Sequence, residues 1–525
     1  MTLEHYKISK AGDITNTGDR LAYRFFEMLP AVFAWATIGG IFFASWQFPV
    51  FASFFIIFFD LYWLLKTIFL SLHLRAGYNE MRRRIRVDWQ AELEKLSVFP
   101  KELGISSWRD IRHLVILPFY KESYIIVKEA VESIKENVYP EENIWVVLAV
   151  EERAGEEAKA VAEKLQKEYG AAFSKFMVTV HPAGISGEMP GKGSNETWAT
   201  RKAKTEIIDA LGIPLERVVV SSIDIDTKLP PHYFGCLTYH YLTAVKPLRS
   251  SYQPIPVYSN NIWEAPAFSR VVANSGTFWQ TMQQARPERL TTFSSHSMPM
   301  KALFEIDYWQ TNIVSEDSRI FWQALIFYDG DWRVVPLFYP VYMDANVGSS
   351  LFITAKNVYK QQRRWGWGVE NVPYFLFGFL KNKKIPLRTK AYFTFNQFEG
   401  FWSWATNALL LFFLGWLPLV LGGAHFGSTV LSYNLPRITR IIMTLSMVGL
   451  FTSAIISTSL LPKRPGHHPF RKYFWMILQW LLLPVTIVIF GSIPGLEAQT
   501  RLALGKRLDF WVTPKFRHMK PESKV

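Results

Sequence analysis

Apolar positions along this chain fall into two regimes. Residues 29–72 carry two long runs, LPAVFAWATIGGIFFASW and VFASFFIIFFDLYWLLKTIFLSL, parted at Pro49. Three more lie around 401–423, 437–461 and 473–493. Each is about long enough to cross a hydrocarbon core of roughly 30 Å as a helix, so five spans are expected. From residue 76 to about 370 the apolar residues instead come in short blocks. RHLVILPF (112–119), NIWVVLAV (143–150), KFMVTVH (175–181) and RVVVSSI (217–223) predict strands. ESYIIVKEAVESIKEN (122–137), GEEAKAVAEKLQKEYG (155–170) and the stretch 194–211 have helical spacing. Strands apolar on both faces, alternating with helices, predict an α/β domain with a mostly parallel sheet covered on both sides. Ligands of such sheets collect at the carboxyl ends of strands. Tyr120 and Glu122, Glu151 and Glu152, and Asp224 and Asp226 all follow strands in this way.

Charge supplies the orientation. The basic stretches RAGYNEMRRRIR (75–86), KNKKIPLRTK (381–390) and KRPGHHPFRK (463–472) flank apolar runs, and basic loops stay in the cytoplasm. The expected order is then a cytoplasmic or interfacial segment over 1–28, two transmembrane helices over 29–74, and a large cytoplasmic domain over 75–370. An interfacial region over 371–396, about three transmembrane helices over 397–495 and a basic tail over 496–525 complete it. Five spans would place the C-terminus outside, whereas RLALGKRLDFWVTPKFRHMK (501–520) is basic and prefers the inside, so that end stays open. The first 28 residues are mixed and polar, unlike a cleaved signal. The net charge of +14 gathers at membrane flanks, which points to anionic head groups of membrane lipids and away from nucleic acid. A single cysteine, Cys236, excludes an internal disulfide and a cysteine-based zinc site.

Several short motifs carry candidate chemistry, each beside an ordinary reading. Asp224-Ile225-Asp226 places two like charges together, which suits a shared divalent cation, or merely a polar turn before Pro230 and Pro231. Lys192, flanked by glycines at the mouth of a helix, suits a diphosphate, or a solvated loop. Ser315-Glu316-Asp317 opens a helix, either as a serine cap with acids in the first turn or as a carboxylate held for general base work. Gln361, Arg364 and Trp365 share one helix face, fit for a sugar ring and a pyrophosphate, or for a membrane-proximal anchor. Asp60, inside an apolar run, suits a bond to another span or a polar pathway; Lys66 is not on its face.

Taken in order, a strand-end acid, Lys192, Asp-x-Asp, Ser-Glu-Asp and Gln-x-x-Arg-Trp beside a membrane block resemble the membrane-integrated family-2 glycosyltransferases. That group includes the cellulose, chitin and hyaluronan synthases. The resemblance covers about residues 110–370 and the flanking spans. It implies a cytoplasmic, Rossmann-like nucleotide-sugar domain of the GT-A type inserted between transmembrane blocks of a multi-pass plasma-membrane protein. It further implies Tyr120 near the nucleotide base, Lys192 on the diphosphate, Asp224 on ribose and phosphate, and Asp226 (with Asp224) on Mg2+ or Mn2+. Asp317, beside Glu316, would be the catalytic base; Gln361, Arg364 and Trp365 would hold pyrophosphate and acceptor. Glu122, Glu151 and Glu152 would lie near the donor, the last two where the family usually has aspartates, which leaves uridine specificity open. Ser315 stands where the family has threonine. The implied activity is inverting transfer from a nucleotide-sugar donor to a glycan or lipid acceptor. The competing class is a membrane transporter or receptor with a non-catalytic ligand domain.

Overall fold

The computed structural model of the chain describes residues 7–463 and 471–516. Most of the basic loop 463–472 and the last residues of 501–520 lie outside that range.

Seven strands form one sheet in the order β3-β2-β1-β4-β6-β5-β7. They are β1 (Arg112–Phe119), β2 (Ile144–Glu151), β3 (Lys175–His181), β4 (Val218–Ser222), β5 (Ser250–Tyr258), β6 (Ser297–Pro299) and β7 (Arg333–Met343). β3, β2, β1 and β4 run parallel, as do β5 and β7; the short β6 joins the two groups by antiparallel pairing. The four strands expected from the sequence are the four of the parallel half. The period-2 geometry of a strand sends their alternate residues to opposite faces. Leu114, Ile116, Val147 and Val220 enter one core; Val115, Leu117, Val146 and Val219 enter the other. Every one of these side chains is fully buried, worth about 1.5–3 kcal/mol each. The first core also takes in Trp309, Trp322 and Phe375, and the second Trp108, Tyr139 and Phe234.

This register sets the site. β1 pairs with β2 through Phe119 and Val150, so Tyr120, just past β1, stands beside Glu151, the last residue of β2. β4 pairs with β1 only as far as Ile116 and Ser222, and the chain then turns through Asp224 and Asp226. A bridge between Lys228 and Tyr342 draws the end of β7 to the same edge, where the Asp344 amide donates to Asp226 Oδ2 at 3.1 Å.

Among the described residues, three helical stretches are long and apolar enough to cross a membrane: Thr17–Gln47, Pro49–Arg84 and Arg471–Ala503. Leu387–Phe412 and Leu414–Leu421, bent by 48°, add a fourth if taken together. The apolar run at 437–461 divides between Val430–Ser446 and Val448–Ser459, helices of 17 and 12 residues, so five spans of full length are not formed among the described residues. The first helix begins well before its apolar run because Asn16 caps it, accepting from the Asp19 amide at 3.0 Å. Proline fits the first turn of a helix, where its missing N–H is not needed, and Pro49 opens the second helix in that way. The helix Pro49–Arg84 packs on Ala267–Gln284 at Gly77, where a Cβ would stand 2.4 Å from the carbonyl of Thr281.

Candidate active site

The carboxyl ends of β1, β2 and β4 open into a cavity of about 1270 Å³. Tyr120, Glu122, Glu151, Lys192, Asp224, Asp226, Glu316, Asp317, Gln361, Arg364 and Trp365 all line it. Of the candidates named from sequence, Glu152 alone is not in the lining; it faces outward and accepts from the Ala183 amide at 2.8 Å.

Lys192 is the hub. It is the first residue of the helix Lys192–Ala203, and its ammonium lies 2.8 Å from Asp224 Oδ1 and 2.7 Å from Asp317 Oδ1. Gly193 makes the approach possible: a Cβ there would sit 3.0 Å from both the Gln310 carbonyl oxygen and the Glu316 Cβ. Burial by itself would lower the lysine pKa, but Asp224, Asp317, Glu196 and Glu316 together hold it well above the usual range. For Asp224, burial pushes upward, yet the charge of Lys192 and bonds from Lys192 and Ser294 hold the carboxyl well below its ordinary value. The Ser294 hydroxyl donates to Asp224 Oδ2 at 2.5 Å.

Asp226 is 2% exposed. Its Oδ2 accepts from the Lys515 ammonium at 2.6 Å, while its Oδ1 is buried without a hydrogen-bond partner. Asp344 adjoins it, and burial plus the charge of Asp226 push the Asp344 carboxyl up to about 7. Glu122 is also raised, by burial first and then by Asp226, against the pull of Lys515; its Oε2 accepts from the Tyr120 amide at 2.9 Å. A buried carboxylate oxygen without a partner is a hard donor of the kind that Mg2+ or Mn2+ takes. The two aspartates therefore face different cations in the protein itself, Asp224 a helix lysine and Asp226 a tail lysine.

Behind Lys192 lies a second acidic group. The carboxylate oxygens of Glu196, Glu316 and Asp317 fall within 4.8 Å of one another, close enough to hold one cation. Glu196 is fully buried, and its Oε2 accepts from Ser222 Oγ at 2.5 Å. Burial raises both Glu196, to about 8, and Glu316, with Lys192 opposing the shift in each. His296 adds a neutral imidazole: Nδ1 donates to the Phe293 carbonyl at 3.0 Å and lies 3.8 Å from Asp317 Oδ1, while Nε2 accepts from Trp309 Nε1 at 3.2 Å. Burial pushes its pKa down to about 4.

The helix Leu351–Gly366 supplies the far wall. Trp365 is flanked by Tyr258 and Phe293, with ring centroids 6.1 and 5.8 Å away. The guanidinium of Arg364 stands 5.5 Å from the ring centroid of Phe510, and its Nε is buried without a partner. Near the end of β2, Arg153 grips Glu151 through two hydrogen bonds, at 2.5 and 3.1 Å, and lies 4.6 Å from the Tyr120 ring centroid.

No protein family matches the chain. No curated protein matches it either. Among solved structures, it is similar to a mannosyltransferase from Pyrobaculum calidifontis in complex with GDP-Man and Mn2+, at 13% identity, over 77% of this chain and 98% of that one, with a TM-score of 0.43. It is also similar to S. aureus TarS 1–349 in complex with UDP, at 11% identity over 66% and 91% of the two chains and a TM-score of 0.34. The UDP-GlcNAc complex of the same protein gives 12% identity, 67% and 93% coverage, and a TM-score of 0.34.

The sequence did not single out Lys515, Glu196, His296 or Asp344. Lys515 stood in a basic tail suited to lipid head groups, and Glu196 in an unremarkable polar helix start. Only contacts across distant segments distinguish them. Ser315 holds the N-cap position, but its hydroxyl makes no cap bond. Asp60 is buried and lines the cavity; among the described residues it makes no hydrogen bond or ion pair, so the expected bond to another span is not formed. Lys66 instead pairs with Glu399, which also lies 3.6 Å from Arg289.

Proposed function

We propose that this chain is a multi-pass membrane glycosyltransferase of the GT-A type, with its catalytic domain in the cytoplasm. It would move a sugar, with inversion, from a nucleotide-sugar donor to a polysaccharide or lipid-linked acceptor. The observation that carries the reading is the bridge of Lys192 between Asp224 and Asp317 in one cavity with Asp226, Arg364 and Trp365. A cation that links a strand-end acid to a helix-start acid is placed to exchange one of them for a diphosphate.

Asp226, with Asp224, would hold Mg2+ or Mn2+, which supplies positive charge to the leaving diphosphate. Lys192 binds the diphosphate oxygens and in doing so releases Asp317. Asp317 then takes the proton of an acceptor hydroxyl as its oxygen bonds to the anomeric carbon and the bond from that carbon to the diphosphate oxygen breaks. Arg364, half-buried on the cavity wall, stabilises the charge that grows on the departing diphosphate. Trp365 offers the acceptor sugar a flat apolar face. Tyr120 and Glu151 border the base, with Arg153 holding Glu151 in place. The cavity continues past Asp60, Trp63 and Trp404 among the apolar helices, which supports an acceptor that reaches the membrane.

The test is a screen of sugar nucleotides with magnesium or manganese, reading released nucleoside diphosphate and labelled product. Turnover is expected in the wild type. Ligand binding with no turnover of any sugar nucleotide would favour a transporter or receptor instead.

A further inference from the structure

The first N–H groups of any helix lack partners within it and need an acceptor from elsewhere. In the helix Glu316–Phe327, which carries the proposed base in its first turn, Ser315 does not supply one. Glu370, from another part of the chain, instead holds the two residues that lead into the helix. Its Oε1 accepts from the Val314 amide at 3.1 Å, the Ser315 amide at 2.9 Å and the Ser315 hydroxyl at 2.7 Å. Its Oε2 accepts from Trp367 Nε1 at 3.0 Å and lies 3.9 Å from Arg507. The Glu370 residue is 1% exposed, so its carboxylate makes these bonds out of water.

The same short segment grips the helix again one turn on. The Glu370 carbonyl accepts from Arg319 at 3.0 Å, Asn371 Oδ1 accepts from Arg319 Nε at 2.6 Å, and Asn371 Nδ2 donates to Ser318 Oγ at 2.8 Å. Glu370 ends the turn Trp367–Glu370, which continues directly from the helix bearing Gln361, Arg364 and Trp365. The turn that presents Asp317 is therefore bonded to the rod that presents the acceptor-side residues, with one carboxylate as the joint.

We infer that Glu370 is a positioning residue for transfer, fixing the place of Asp317 relative to Arg364 and Trp365. The inference rests on the transferase reading above. Glu370 touches neither donor nor acceptor; it acts through Ser315 and the backbone that leads to Asp317. Any shift of the acceptor-side helix would move the base with it, and the reverse.

Glu370→Gln keeps the shape but replaces one acceptor oxygen with an N–H donor. Whichever way the amide turns, that donor faces another donor, either Trp367 Nε1 or the Val314–Ser315 group. Misplacement of a catalytic group by about 1 Å costs on the order of a hundredfold in rate, so kcat is expected to fall about 10- to 100-fold. The donor KM and the affinity for free nucleoside diphosphate should stay within about twofold, since the variant leaves Lys192 and Asp226 in place. Ser315→Ala removes one donor and leaves both amides; it should lower kcat only a few fold, and the double variant should lose no more than Glu370→Gln alone. An unchanged kcat in Glu370→Gln, or a fall matched by an equal loss of nucleotide affinity, overturns the inference. Should Glu370→Gln fail to fold, Ser315→Ala decides it by the same split of kcat from KM. A wild type inert towards every nucleotide sugar, or normal turnover in Asp317→Asn, overturns the transferase reading and the inference with it.

Discussion

At the scale of single residues, the site is a set of charges held in pairs, and each pair suggests what its members do. Asp317 shares Lys192 with Asp224, so its substitution separates catalysis from binding. Asp317→Asn keeps the shape but cannot accept a proton. General base catalysis contributes typically 10²- to 10⁴-fold, and turnover is expected to fall by about that much while nucleoside diphosphate affinity holds. Single-turnover kinetics beside equilibrium binding would check it. Lys515 poses a different question, because its ammonium pairs through Oδ2 with the same Asp226 carboxylate whose free Oδ1 suits a divalent cation. In Lys515→Ala that competition ends, and Mn2+ should bind about tenfold more tightly, the equivalent of about 1.4 kcal/mol. Calorimetry with Mn2+ and nucleoside diphosphate reads this directly, and an unchanged affinity would remove Asp226 from the metal site.

Among the elements, close backbone approaches decide which helices can dock. Gly193 lets the Lys192 helix reach the segment before Asp317, and Gly77 lets the second apolar helix press on the helix Ala267–Gln284. The two approaches differ in kind. At Gly77 the neighbour is a backbone carbonyl, which cannot rotate away, so Gly77→Val should cost about 1–3 kcal/mol as an overpacked contact. A Cβ added at Gly40, in the first apolar helix, would find no atom within 4 Å and so would meet open space. Gly40→Ala should be neutral or slightly stabilising, because alanine is the better helix former by about 1 kcal/mol. Thermal unfolding in detergent would rank the two variants, and equal effects would show that the Gly77 contact is not formed.

Across the whole molecule, buried acids make the fold sensitive to alkali. Glu196 keeps its proton in the folded protein up to about 8, whereas the unfolded chain releases it near the ordinary carboxylate value. The folded state thus binds the extra proton between those limits, and stability must fall as pH rises through that window. The contribution is complete at acid pH and lost above about 8. Glu196→Gln removes the titration, so its unfolding temperature should vary less between pH 5 and 8 than that of the wild type; parallel curves would disprove the assignment.

Much of this architecture was written in local pattern. Apolar periodicity alone gave the four parallel strands, the helices between them and the long apolar helices, because burial on both faces of a sheet demands that composition. Strand ends also located Tyr120, Glu151, Asp224 and Asp226, since topology obliges ligands to collect there. Pattern could not supply partners. Lys515 comes from a tail far along the chain, Glu370 holds the residues that lead into the helix of Asp317, and β5 to β7 close the sheet through irregular, mixed pairing. These depend on which segments meet, and two distant side chains leave no mark on each other's neighbours in sequence. What the sequence by itself determined was which residue types stand at each edge of the sheet. The tertiary structure decided which charges they meet, because only folding brings those charges within a few ångströms.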